Sequence, residues 1–263
     1  MGRIEKIDSE GVIDVQAHAM THTWYPCEAT IVDWHRPKDS YYWLYWNAFP
    51  EKKPFWLTEY DETMVSYGYP IFKYAKSISG RRFNPKQEVI DFSMEYYAKN
   101  KNSLKDAFPA FQNELKERFK GDLGSFETEE EFKQRLRVEL IESKKIAENI
   151  LNKKMEFLAW PGGAVSDCAY EIAREAGYLS WTKKGKPYNE RTDSLSDVYR
   201  LGGWSGIKIK NKPNTFIEYW FLKMQLQRAK GNKSIINKFF GFIGNIYRKR
   251  HIKSCRKNGE NWK

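Results

Sequence analysis

Between Glu156 and Thr182 the chain reads as strand, tight loop, helix, glycine and strand without a break. EFLAW (156–160) is a short apolar run of strand type, Pro161 to Val165 supply the loop, and Ser166 is placed to cap a helix that ends at Gly177. LeuSerTrpThr (179–182) is the next strand. A helical crossover between two such strands makes a βαβ unit, which requires parallel pairing in a sheet or barrel. The chain is therefore of the α/β class.

Upstream, Thr128 and Glu131 have the spacing of a capping box. Phe132, Leu136, Leu140, Ala147 and Leu151 follow mostly at fourfold intervals, which predicts one long helix from Thr128 to about Lys153. Val12 to Gln16 (VIDVQ), after Gly11, is a β-branched run that predicts a buried strand. From His35 to about Thr128 the sequence is aromatic and interrupted by Pro37, Pro50, Pro54, Pro70, Pro85 and Pro109, so several short elements are expected there. The run TyrTyrTrpLeuTyrTrp (41–46) suits buried packing better than a sugar platform.

Charge is unevenly placed. The formal net charge is +11, yet residues 228–263 carry 11 of the 45 basic residues and, in Glu260, one of the 34 acidic ones. That tail is net +10 and the body +1, so attraction to anionic partners belongs to the tail. Ile235, Phe239, Phe242, Ile243 and Ile246 share one helical face within it, a pattern that fits packing on the body or an anionic membrane surface. Nothing interleaves aromatic and basic residues as a nucleic-acid module does, so a nucleic-acid partner ranks last. No transmembrane run and no signal-peptide core are found. Cys27, Cys168 and Cys255 are odd in number and widely spaced, which specifies neither a disulfide framework nor a zinc knuckle.

Chemistry concentrates at HAMTH, His18 to His22, just past the predicted strand. Within one helical turn an i, i+4 pair places both imidazoles on one side, where they can share a divalent ion. Catalytic zinc normally takes three protein ligands and keeps a position open for water, so a further ligand is expected.

The order of these pieces resembles the polysaccharide deacetylase family, the NodB-homology domain. There an HxxxH metal pair follows a strand, and a later strand ends in a loop of RxPxG type before a helix closing in GlyTyr. Here Ala159, Trp160, Pro161, Gly162 and Gly163 stand in that loop, and Ser166 to Tyr178 form the helix. What the resemblance implies is a metal-dependent hydrolase that removes N-acetyl groups from a glycan, on a (β/α)-type barrel of seven strands. It further implies His18 and His22 as ligands to a divalent metal, zinc or a similar ion, and Trp160, Pro161, Gly162 and Gly163 as a substrate and oxyanion loop. Relatives act on envelope or extracellular glycans.

Several positions depart from that pattern. The family carries an adjacent Asp pair on an earlier strand, but no AspAsp dipeptide occurs in this chain and only 17 residues precede His18. Ala159 stands where many members have arginine, Ala19 replaces Ser or Thr, and the late Leu-x-His motif has no counterpart. The expectation is an incomplete barrel, with residues 1–227 as a truncated domain, an insertion at about 36–127 and a tail at 228–263. Loss of its first strands would leave an open edge and poor solubility. Alternatively Asp14, Asp33, His35 or Asp61 completes the site. A non-catalytic carbohydrate-binding or interaction remnant is the competing functional reading.

Overall fold

The structure is a computed structural model that describes residues 2–11, 13–39, 41–55, 61–163, 165–183, 189–190, 194, 196–200, 208–209, 212–230, 242 and 246. It divides into two compact units: Met1–Glu156 with Trp160–Tyr178, and Phe157–Ala159 with Leu179–Lys263.

The first unit opens with helix α1 (Arg3–Ser9) and the long strand β1 (Trp24–Trp34). Helix α2 (Tyr42–Ala48) follows, then strands β2 (Pro70–Lys76) and β3 (Phe83–Pro85), helices α3 (Gln87–Asn100) and α4 (Leu104–Phe119), and strand β4 (Gly124–Phe126). β1 pairs antiparallel with β2, from Trp24 opposite Lys76 to Trp34 opposite Pro70, and the register shifts twice on the way. β3 pairs antiparallel with β4. Ile31, Trp34, Phe72, Phe83, Phe92, Phe111 and Leu115 interlock as the core between these strands and helices α3 and α4. Each such side chain contributes roughly 1.5–3 kcal/mol by leaving water. The Trp34 indole donates to Ser93 Oγ at 3.1 Å, and Ser93 donates on to the Gly68 carbonyl at 2.8 Å, so the polar end of a buried ring is satisfied.

Thr128 caps helix α5 (Glu129–Arg137) through the expected box: Glu131 N–H donates to Thr128 Oγ1 at 3.2 Å, and Thr128 N–H to the Glu131 carboxylate at 2.7 Å. The helix is not uniform, because Val138–Glu142 forms a π turn before α6 (Ser143–Leu151) resumes, ending on Asn152 in the left-handed region. Ser166 caps helix α7 (Asp167–Glu175), accepting from Ala169 N–H at 3.2 Å. α7 packs on α5 and the π turn, where Leu136, Leu140, Ala169 and Ala173 are fully buried.

In the second unit, β5 (Phe157–Leu158) pairs in parallel with β6 (Ser180–Lys183), which pairs in parallel with β7 (Asp197–Tyr199). The parallel crossover predicted for residues 156–182 is present. β8 (Lys208–Ile209) and β9 (Lys212–Pro213) pair antiparallel, and helix α8 (Thr215–Ala229) follows.

The fold is thus mixed α/β, with one three-stranded and three two-stranded sheets, and no closed barrel among the described residues. Two expectations fail. Residues 13–16 are irregular rather than a strand, Val12 lying outside the described residues, and only Ala17 makes a bridge. The segment is held by side chains instead: Asp8 accepts from Val15 N–H at 2.7 Å, and Lys153 Nζ reaches Asp8 at 2.5 Å and Asp14 at 2.6 Å. The proline-broken stretch also holds two full helices, α3 and α4, of 14 and 16 residues, with Pro109 tolerated inside α4. No helix among the described residues is long and apolar enough to cross a membrane. Apart from Arg228, Ala229, Lys230, Phe242 and Ile246, the basic tail lies outside the described residues.

Candidate functional site

The segment from His18 to His22 is not a helical turn. Ala19 (φ 60°) and His22 (φ 46°) both take left-handed backbone, which costs a non-glycine residue roughly 1–2 kcal/mol each. Bent twice in this way, the loop still brings the two imidazoles together, with ring centroids 5.0 Å apart and planes tilted by 45°.

What holds the bend is a carboxylate from the π turn. Glu139, only 2% exposed, accepts from Met20 N–H at 3.0 Å and Thr21 N–H at 2.9 Å through Oε2, while Thr21 Oγ1 donates to Oε1. On the far side, Ser77 N–H donates to Thr23 O at 3.0 Å, fixing the loop to the end of β2. Solvent reaches both histidine rings. Partial burial, followed by the charges of His18, Lys53 and Lys76, pushes His22 below its ordinary value. The imidazole therefore stays neutral further into acid, in the form a metal requires.

The Trp160–Gly163 bend lies in the same unit. Trp160 is fully buried, its ring edge-on to Tyr170 at 5.3 Å. Gly162 (φ 59°) and Gly163 (φ 74°) turn the chain left-handed, and Gly163 N–H closes the turn on Trp160 O at 3.1 Å. Lys76, opposite Trp24 in the β1–β2 ladder, donates from Nζ to the Gly162 carbonyl. Trp24 in turn stands edge-on to His22 at 6.2 Å. One strand pair thus connects the histidine loop to the bend.

Further along, Trp24 stacks on Trp46 at 6.3 Å, and the Lys53 ammonium sits 4.6 Å over the Trp46 ring. Lys53 Nζ is buried with no hydrogen-bond partner among the described residues. Burial pulls its pKa down to about 8, partly offset by the Glu139 carboxylate.

The other candidates stand elsewhere. Asp14 is tied to Lys153 and Gln16. Asp33 binds the Arg36 guanidinium at 2.6 Å and the Tyr41 hydroxyl at 3.3 Å. His35 is 2% exposed with both nitrogens engaged, Nδ1 to Asp39 at 2.6 Å and Nε2 to the Glu62 carbonyl at 2.9 Å. Asp61 caps a short turn by accepting from Thr63 N–H and Oγ1 at 2.8 and 2.7 Å. Among the described residues no cluster of three or more His, Cys, Asp or Glu could hold a metal ion. The structure brings together two imidazoles as nitrogen donors, and among the described residues no third protein ligand stands beside them.

Glu139, Lys53 and Lys76 were not singled out from the sequence. Glu139 did carry a signal: it falls three residues after Leu136, on the apolar face of its helix, where an unpaired acid is rare. The lysines carried none.

No family model matches the chain and no curated protein matches it. Among solved structures it is similar to a de-N-acetylase from Aggregatibacter actinomycetemcomitans, with a TM-score of 0.41 and 13% identity over 79% of this chain and 49% of that one. It is also similar to the BpsB deacetylase domain from Bordetella bronchiseptica, with a TM-score of 0.28 and 23% identity over 30% of each chain. The chain spans about half the length of the first.

Proposed function

We propose that the chain is a hydrolase of the polysaccharide deacetylase type, which removes N-acetyl groups from a glycan and carries part of a (β/α)-type barrel. A divalent metal, zinc or a similar ion, would be held by His18 and His22. The observation that carries this reading is the approach of those two imidazoles to 5.0 Å, on a loop joined through β1, β2 and Lys76 to the Trp160–Gly163 bend. When bound, such an ion polarises an acetamide carbonyl and lowers the pKa of water.

The chain's own groups would do the rest. Neutral His22 and its neighbour His18 supply nitrogen donors. Gly163 N–H is engaged with Trp160 O, which leaves the Lys76 ammonium as the positive group at the bend, where negative charge develops in acyl transfer.

Zinc binding by competition with a chromophoric chelator, alongside acetate release from N-acetylglucosamine oligomers, tests the proposal. The wild-type chain is expected to do both, and His18→Ala with His22→Ala to do neither; a wild-type chain without zinc affinity would end the reading. One observation favours the non-catalytic alternative: Asp14, Asp33 and Asp61 are all committed away from the histidines. Glycan binding without acetate release selects that alternative. The basic tail we assign to an anionic membrane surface.

A further inference from the structure

We infer that Glu139 is a positioning residue: its buried carboxylate, carried on the π turn, gathers the two amides between His18 and His22 and so sets how the imidazoles face one another. The inference rests on the reading of that pair as a metal grip.

The geometry is specific. Met20 and Thr21 are the only two residues between the left-handed Ala19 and the left-handed His22, and both of their N–H groups point at one oxygen of Glu139. The Thr21 hydroxyl takes the other oxygen. Both oxygens are thus occupied by the loop, which satisfies the buried carboxylate with three donors of its own. An amide in its place keeps one acceptor oxygen but presents an NH2 group where the Thr21 hydroxyl now donates, so the two N–H groups lose a charged partner and the loop is held less firmly in its two unfavourable backbone conformations.

The π turn is what delivers this carboxylate. One residue more than an α-turn holds rotates the downstream half of the helix by about 100°. Leu140 meanwhile stays fully buried, and its carbonyl accepts from the Tyr178 hydroxyl at 3.2 Å, which fixes the turn to the chain just past α7. Groups that orient metal ligands in this indirect way are worth roughly 10- to 100-fold in metal affinity.

The test uses the full chain and zinc as the probe, comparing wild type, Glu139→Gln and Thr21→Val, with amide exchange of the metal-free proteins followed over residues 18–23. Glu139→Gln is expected to bind zinc roughly 10- to 100-fold more weakly and to lose exchange protection at Met20 and Thr21, while the amides of α5 and α7 keep theirs. Thr21→Val, which spares both amide bonds, is expected to lose only a few-fold, and it carries the test should Glu139→Gln fail to fold. His18→Ala with His22→Ala abolishes zinc binding but leaves the two amides protected. Wild-type zinc affinity in Glu139→Gln, or in Thr21→Val when that variant stands alone, overturns the inference by itself. A wild-type chain that binds no zinc overturns the functional reading, and this inference with it.

Discussion

Both ring nitrogens of His35 are taken, and the residue shows how the same chemistry serves a different end away from the surface. Burial alone would push its pKa down, but the Asp39 and Glu62 contacts outweigh this and raise it above the usual 6.5. A group whose folded pKa is raised stabilises the fold fully below the unfolded value and ceases to do so as pH climbs through the folded one. Replacing His35 by Ala should therefore cost roughly 1.5–3 kcal/mol in mildly acid solution, by removing the charged partner of the half-buried Asp39, which keeps the Arg36 and Tyr41 amides, and less in alkali. Urea melts of both proteins on either side of the histidine range check this, and a gap that widens with pH would contradict it. The same substitution should leave zinc affinity unchanged. From sequence, His35 was a candidate to complete the histidine site, whereas its ring is committed to Asp39 and the Glu62 carbonyl. The place of Glu139 on an apolar helix face was visible in the sequence, but its partners were not, because nothing in a helical pattern reveals which distant backbone amides a buried acid will meet.

Among the elements, those with local signals were readable. Thr128 with Glu131, Ser166 with Ala169, and the parallel return from β5 to β6 all depend on residues close in sequence. β1 was missed because its partner β2 begins 36 residues after it ends, and helices α3 and α4 because Pro109 was read as a breaker. The histidine pair was found through a helix that does not exist; left-handed backbone at Ala19 and His22 achieves the same approach. The bend offers a test at this scale. A methyl group on Gly162 would meet left-handed strain and the end of the Lys76 side chain together. Gly162→Ala should cost about 1 kcal/mol, lowering the melting midpoint by a few degrees. Adding Lys76→Ala should return only the steric part; full recovery would show that backbone strain contributes nothing.

For the whole molecule, the segregation of charge into the tail was plain in the sequence, whereas the surface beside it was not. Helix α8 exposes Phe216, Tyr219, Trp220, Leu222 and Leu226 along one side, with the Lys223 ammonium 4.9 Å over the Trp220 ring. Aromatic rings with a lysine on one helix face are suited to a membrane interface, and the net +10 of residues 228–263 adds attraction to anionic lipid. Vesicles containing phosphatidylserine should therefore bind the full chain, progressively less as salt rises, and should not bind a chain lacking residues 228–263. Equal binding to neutral vesicles would remove the electrostatic part of that expectation. In the first unit the π turn has a mechanical consequence. The helical run on either side of it is out of phase, so the two halves present different faces and only the upstream one is seated, by Phe132 and Leu136. Anchored from that end, the acid at the turn has little freedom to wander, and neither does the loop it grips.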